Sequence, residues 1–145
     1  MYSTVLLPTD GSEGAAVGVD VGLRLAARHD ATVHALFVID ERYVRREYDH
    51  VVEKAEREAE AALDAVGDRA DEIGVRVEKH VRWGVPHEEI LAAIDAYGAD
   101  LVTMGTHGRT GIDRLVHLGS VTERVVRLAP VQVLTVPLGR RSSDD

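Results

Sequence analysis

Cysteine is absent from this chain of 145 residues, which excludes disulfide bonds and thiolate metal sites and suits a reducing compartment. Long apolar runs are absent too, since no segment approaches the roughly 20 apolar residues of a membrane-spanning helix. The N-terminus lacks a basic region followed by an apolar core, the pattern of a secretory signal. We therefore expect a soluble, cytoplasmic protein that does not associate with a membrane.

Basic residues are few, and lysines are rarest among them. The chain has 17 Lys and Arg against 25 Asp and Glu, a net charge of −8, and its lysines are Lys54 and Lys79 alone. Because affinity for nucleic acid depends mainly on basic side chains that release counterions, nucleic acid is disfavoured as a partner. The acidic composition leaves two explanations open, adaptation to a salt-rich source or the codon usage of a GC-rich genome.

Two common phosphate-binding signatures are missing as well. A P-loop needs a Lys-Ser/Thr pair after a four-residue gap between glycines, and no such string occurs. A dinucleotide-binding fingerprint needs G-x-G after the first strand, whereas the glycine turns of this chain follow its fourth apolar run. Both classes of site are therefore excluded.

Apolar runs alternate with amphipathic segments along the whole chain. Strands and helices that alternate in this way predict an α/β fold with a parallel sheet and right-handed crossovers. We predict strands over residues 4–7, 32–39, 75–81, 101–104 and 131–136, and helices over residues 13–28, 49–73, 86–97 and 120–128, with a break marked by Gly67.

The segment after the fourth strand carries the clearest chemistry. The apolar run ending at Met104 leads into Gly105-Thr106-His107-Gly108, and a second turn, Gly119-Ser120, precedes the last helix. Glycine lets the backbone approach a ligand closely, so paired glycine turns offer N–H groups to an anion such as phosphate. The helix that follows adds N–H groups of its first turn and the positive end of its dipole. This pattern predicts a phosphate site without lysine.

These features resemble the ATP-binding type of the universal stress protein family. The resemblance covers nearly the whole chain and rests on Gly105-x2-Gly108 with Gly119-Ser120, VLLPTDGSE near the start, Val38-Ile39-Asp40, the Gly84-x-Pro86 turn and APVQVLTVP near the end. It implies one Rossmann-like domain over residues 1–138, with a polar tail at 139–145. The implied sheet is open, parallel and five-stranded, in the order 3-2-1-4-5 with helices on both faces, and its ligand crevice lies between strands one and four.

The resemblance also implies a ligand and its contacts. It predicts ATP with Mg²⁺ or Mn²⁺ bridging the phosphates, adenine near the backbone of Val38, and ribose near Asp10. Asp10 or Ser12 is also suited to cap the first helix, and the two roles of Asp10 are compatible. The predicted binding residues are Pro8, Thr9, Asp10, Val38, Met104, Gly105, Thr106, His107, Gly108, Arg109, Thr110, Gly111, Gly119, Ser120, Val121 and Thr122.

The implied function is that of a regulatory module, a nucleotide-dependent switch or stress-response factor whose protein partner is unknown. It implies a homodimer through antiparallel pairing of the last strand, Val131 to Val136. We identify no catalytic base or nucleophile beside the glycine turns, so slow ATP hydrolysis is the most that we expect of it as an enzyme.

One spacing departs from the family's pattern. The family has nine residues between its second and third glycines, whereas this chain has ten, from Arg109 to Leu118. An interaction dimer that does not bind nucleotide therefore remains an alternative, as does a weak ATP hydrolase. Because the segment has loop-forming residues at both ends, we expect a bulge near residues 116–118 to absorb the extra residue and preserve ATP binding.

Seven histidines raise the question of a metal site. None forms an i,i+4 ligand pair on a helix, and we predict no metal ligand among the side chains. His107 is expected to contact the ligand mainly through its backbone, and Arg109 either pairs with a phosphate or points to solvent. We interpret the remaining histidines as surface or core residues: His29, His34, His50, His80, His87 and His117.

Overall fold

The computed structural model describes residues 1–107 and 118–139, so the predictions for residues 108–117 and 140–145 lie outside it. Within the described residues, strands and helices alternate as predicted. They are β1 (Thr4–Pro8), α1 (Glu13–His29), β2 (Thr32–Asp40), α2 (Asp49–Ile73), β3 (Val77–Gly84), α3 (Pro86–Tyr97), β4 (Leu101–Gly105), α4 (Ser120–Leu128) and β5 (Gln132–Val136).

The five strands form one parallel sheet in the order β3-β2-β1-β4-β5. Leu6 of the central strand pairs in register with His34 on one side and Val102 on the other. This confirms the predicted open α/β sheet. The strand order reverses between β1 and β4, where the two crossover directions diverge.

Helices cover both faces of the sheet, as expected for a parallel sheet buried on both sides. On one face, α1 and α2 pack against Val5 and Leu7 of β1. On the other, α3 and α4 pack against Leu6. Successive residues of β1 thus contribute to opposite cores, which is why its sequence is an unbroken apolar run.

Helix α2 is continuous from Asp49 to Ile73, so the break predicted at Gly67 is wrong. A glycine inside a helix costs about 1 kcal/mol relative to alanine. That cost is smaller than the stabilisation from burying neighbours such as Leu63, Val66 and Ala70 on the sheet. The C-terminal end of α2 agrees with the prediction, since Gly74 adopts the left-handed conformation and terminates the helix there.

Helix α1 approaches the sheet through a row of glycines spaced four residues apart, Gly14, Gly18 and Gly22. A Cβ atom on Gly18 would lie 2.6 Å from the backbone nitrogen of Gly105, and one on Gly14 would collide with the carbonyl of His107. A Cβ on Gly105 would in turn collide with the carbonyl of Gly14. The backbones of α1 and β4 are therefore in direct contact.

The two edges of the sheet are β3 and β5, and each carries an exposed apolar residue. Val81 of β3 is 47% exposed and Leu134 of β5 is 39% exposed. Within the described residues, no helix combines the length and apolar character needed to cross a membrane.

The glycine contacts predict opposite effects for two alanine substitutions. Gly18→Ala should lower the free energy of unfolding by about 1–3 kcal/mol, because its Cβ would press on backbone atoms of Met104 and Gly105 that cannot move aside. Gly67→Ala should raise it by about 0.5–1 kcal/mol, since the added Cβ meets only the flexible end of Lys79 and the helix gains a better helix former. Urea denaturation of both variants measures the difference, and a Gly18→Ala protein as stable as the parent would contradict the packing described.

Candidate ligand-binding cleft

A cleft of about 510 Å³ opens at the carboxyl ends of the strands, beside the point where the strand order reverses. Its floor comprises the ends of β1, β2 and β4, and the start of α4 forms one wall. This is the place where open parallel sheets bind ligands, because the loops on either side lead to helices on opposite faces.

The structure brings most of the predicted binding residues to this cleft. Thr106 lies between two lining residues, while Gly108, Arg109, Thr110 and Gly111 lie outside the described residues. Which of them contact a ligand remains a prediction. The predicted residues that line the cleft are Pro8, Thr9, Asp10, Val38, Met104, Gly105, His107, Gly119, Ser120, Val121 and Thr122.

The turn between β1 and α1 is shaped by side chains that accept bonds from its own backbone. Ser12 is the N-cap of α1, its Oγ accepting from the N–H of Ala15 at 3.1 Å. Asp10 lies two residues earlier, and its Oδ1 accepts from the N–H of Ser12 at 2.9 Å. Of the two residues suited to cap the helix, Ser12 is therefore the cap. An ionised carboxylate accepts up to about four hydrogen bonds, so the bond to Asp10 is compatible with a further donor.

The two glycine turns meet at the end of β4. The N–H of Gly119 donates to the carbonyl of Thr106 at 2.8 Å, and the buried hydroxyl of Thr122 donates to the carbonyl of Gly105 at 2.9 Å. These bonds hold the first turn of α4 against the strand end. The second glycine turn thus lies against Gly105 and Thr106, and the predicted bulge falls mostly on residues that the structure does not describe.

The first turn of α4 presents backbone donors to the cleft. The N-cap, Gly119, supplies no side-chain hydrogen bond, and the helical bonding begins with the N–H of Glu123. The N–H groups of Ser120, Val121 and Thr122 therefore have no acceptor within the helix. All three residues line the cleft, so these amides and the helix dipole favour an anion there.

An ion pair at the mouth of the cleft was not among the predicted site residues. Arg42 donates to Asp40 through two atoms, Nε to Oδ1 at 2.9 Å and Nη2 to Oδ2 at 2.7 Å. Both residues line the cleft, followed by Tyr43 and Val44. The sequence did contain a signal for this pair. Asp40 and Arg42 are an acidic and a basic residue two positions apart, at the end of a buried apolar run.

The described residues of the cleft are richer in carboxylates than in cations. Asp10, Asp40 and Glu58 line it, and among the described lining residues Arg42 is the permanently charged cation. The guanidinium hydrogen bonds of Arg42 hold the pKa of Asp40 below its ordinary value, so this carboxylate is ionised at neutral pH.

The fold and this cleft define an open α/β protein with a cleft at its topological switch point. A model of the universal stress protein family matches residues 1–137, and the chain belongs to that family. The resemblance seen in the sequence is thereby confirmed.

Individual relatives match over nearly the full chain. Universal stress protein MJ0531 of Methanocaldococcus jannaschii is 35% identical over 141 residues, covering 94% of this chain and 82% of the relative. The solved structure of hypothetical protein MJ0577 from the same organism is similar with a TM-score of 0.80 and 32% identity, covering 98% and 99% of the two chains. A universal stress protein solved in complex with cAMP has a TM-score of 0.75 and 27% identity, covering 95% and 98%.

The Asp40–Arg42 pair predicts a measurable titration. Arg42→Gln should raise the pKa of Asp40, because the guanidinium hydrogen bonds and the positive charge that stabilise its carboxylate are lost. In the parent, a lowered folded-state pKa means that this carboxylate stabilises the fold above about pH 4 and ceases to do so as the pH falls through the lowered value. An NMR titration of the Asp40 side chain measures the shift. Arg45→Gln, which removes a different ion pair with Glu47, is the control and should leave the pKa of Asp40 unchanged.

Proposed function

We propose that this universal stress protein binds ATP in the cleft, with Mg²⁺ or Mn²⁺ bridging the phosphates, and acts as a nucleotide-dependent regulatory module. The first turn of α4 carries the proposal, because Ser120, Val121 and Thr122 present backbone N–H groups where the sheet binds ligands. Recognition by backbone amides suits a phosphate chain and requires no lysine.

The end of β2 suits the adenine base. The carbonyl of Leu36 accepts from the N–H of Thr9, so the backbone groups of Leu36 face β1. Backbone groups two residues apart on a strand face the same side, so those of Val38 also point toward β1. Since β1 ends at Pro8, Val38 borders the cleft there and offers peptide hydrogen-bonding groups to a base.

Asp10 suits the ribose, and the acidic cleft suits a bridging cation. Asp10 follows β1, which lies between β2 and β4 in the sheet, so a nucleotide that spans from the end of β2 to the start of α4 would place its sugar near this residue. Phosphates in a cleft that also contains Asp40 and Glu58 would meet like charge, which a divalent cation offsets. Mg²⁺ commonly binds in this way, through nucleotide phosphates and one or two carboxylates.

The structural relatives support an adenine nucleotide. The relative solved with cAMP shares the fold at 27% identity over most of both chains. The bond from Gly119 to Thr106 further favours nucleotide binding over a dimer that has lost it, since the two turns remain together despite the longer connection. We assign no catalytic residue.

Calorimetry with ATP and Mg²⁺ tests the assignment. Gly119→Val should weaken ATP binding by at least about tenfold, because it adds a branched side chain at the cap beside the phosphate amides. Asp10→Asn should weaken it by a similar factor, since it retains the acceptor for Ser12 but loses the charge that strengthens a bond to ribose.

Glu56→Gln is the matched control for both variants, because Glu56 is exposed on α2 and is not among the residues that line the cleft. Its ATP affinity should equal that of the parent. Equal ATP affinities for the parent and all three variants would exclude this site. Tighter binding of cAMP than of ATP would contradict ATP as the ligand but would still support the cleft as the binding site.

We also propose that the protein forms a homodimer through β5. This strand is at one edge of the sheet, and Leu134 on it is 39% exposed. An edge strand with an exposed apolar residue readily pairs with another chain. The family resemblance indicates antiparallel pairing across a two-fold axis, which is a closed, self-complementary interface.

Charge introduced at the two sheet edges tests the dimer. Leu134→Lys should shift the parent dimer to monomer in light scattering, because it places a buried charge on each side of the two-fold interface. Val81→Lys is the matched control, an exposed apolar residue on the opposite edge strand, and should remain dimeric. A monomeric parent at micromolar concentrations, or a dimer unaffected by Leu134→Lys, would contradict the proposal.

A further inference from the structure

A cluster of two histidines and a carboxylate lies on the sheet away from the cleft. The Nδ1 atom of His34 is 2.9 Å from Nε2 of His80 and 3.2 Å from Oε2 of Glu78. The three potential ligand atoms lie within 4.8 Å of one another, and among the described residues this is the one group of three such side chains so closely placed. None of the three lines the cleft.

The register of two parallel strands creates this cluster. His34 of β2 pairs directly with Glu78 of β3. Side chains two residues apart on a strand share a face, so His80 joins them on the face covered by α3. Because β3 is an edge strand, the cluster is reachable from solvent: the side chain of Glu78 is 59% exposed, whereas that of His34 is only 12% exposed.

Tyr97, at the end of α3, holds both imidazole rings in place. Its ring centroid lies 4.1 Å from that of His80 and 4.9 Å from that of His34, with interplanar angles of 17° and 10°. Rings stacked in this way lose little further conformational freedom when a ligand binds, so binding costs little side-chain entropy.

All three facing atoms can donate a lone pair to a cation. Nδ1 of His34 carries at most one proton, yet it faces both a nitrogen of His80 and an oxygen of Glu78. A cation between the three atoms would accept one lone pair from each of them. Ligand atoms around a tetrahedral zinc ion, each about 2.0–2.1 Å from the metal, lie about 3.3 Å apart, so small shifts of the side chains would admit the ion.

We propose that His34, Glu78 and His80 form a binding site for a divalent transition metal, with Zn²⁺ as the ion. Two imidazoles and one carboxylate are a common zinc ligand set that leaves the fourth position to water. Mg²⁺ and Ca²⁺ prefer oxygen ligands, so the site is distinct in chemistry from a cation bridging nucleotide phosphates. The bound ion joins the edge strand β3 to β2 and stabilises their pairing.

Calorimetry with ZnCl₂ tests this site in the untagged full chain, without nucleotide. The parent should bind one Zn²⁺ with micromolar or tighter affinity, and the ion should raise its melting temperature. His80→Gln should abolish both effects. Glu78→Gln, at a largely exposed side chain, should weaken binding by at least about tenfold and serves as a second variant should His80→Gln fold poorly.

His50→Gln is the matched control, because His50 is exposed in the first turn of α2 and lies outside the cluster. It should bind zinc as the parent does. Parent protein that binds no Zn²⁺, zinc binding retained in both His80→Gln and Glu78→Gln, or displacement of Zn²⁺ by equimolar Mg²⁺ would each overturn the proposal.

Discussion

The contact between the backbones of α1 and β4 is the constraint on which the ligand edge of the sheet depends. Gly14 and Gly18 allow α1 to rest on Met104, Gly105 and the carbonyl of His107 with no side chain between them. This contact positions the turn that begins at Asp10 relative to the end of β4. Gly105 therefore must be glycine for packing alone, whatever its role toward a ligand.

The hydrogen bonds around α4 extend the same constraint to the other side of the cleft. Gly105 and Thr106 accept from Thr122 and Gly119 through their carbonyls, so the strand end that supports α1 also anchors α4. These donors and acceptors are backbone groups apart from one hydroxyl. The anchoring of α4 therefore depends little on side-chain identity, whereas the cluster of His34, Glu78 and His80 on the same sheet depends wholly on the identity of three side chains.

Predictions from local pattern succeeded where one interaction dominates. Helix α3 begins at Pro86 and ends before Gly98, because proline fits a first helical turn and glycine adopts the left-handed conformation that stops a helix. The break predicted at Gly67 was wrong, because the low helix propensity of one glycine costs less free energy than the burial of a long apolar stripe supplies. The predicted bounds of β3, residues 75–81, differ from the observed Val77–Gly84. Tertiary pairing again outweighs local pattern, since hydrogen bonding to β2 extends the strand to Gly84, beyond its alternating valines.

The sequence by itself determined the alternation of strands and helices, the α/β class and the two glycine turns, because periodicity and turn chemistry are local properties of the chain. Tertiary structure alone decided which of these turns and side chains meet. Gly14 and Gly105 are 91 positions apart and touch, and His34 finds Glu78 and His80 only through the register of β2 with β3. Such contacts depend on how strands pair and helices pack, and no spacing along a single chain encodes them.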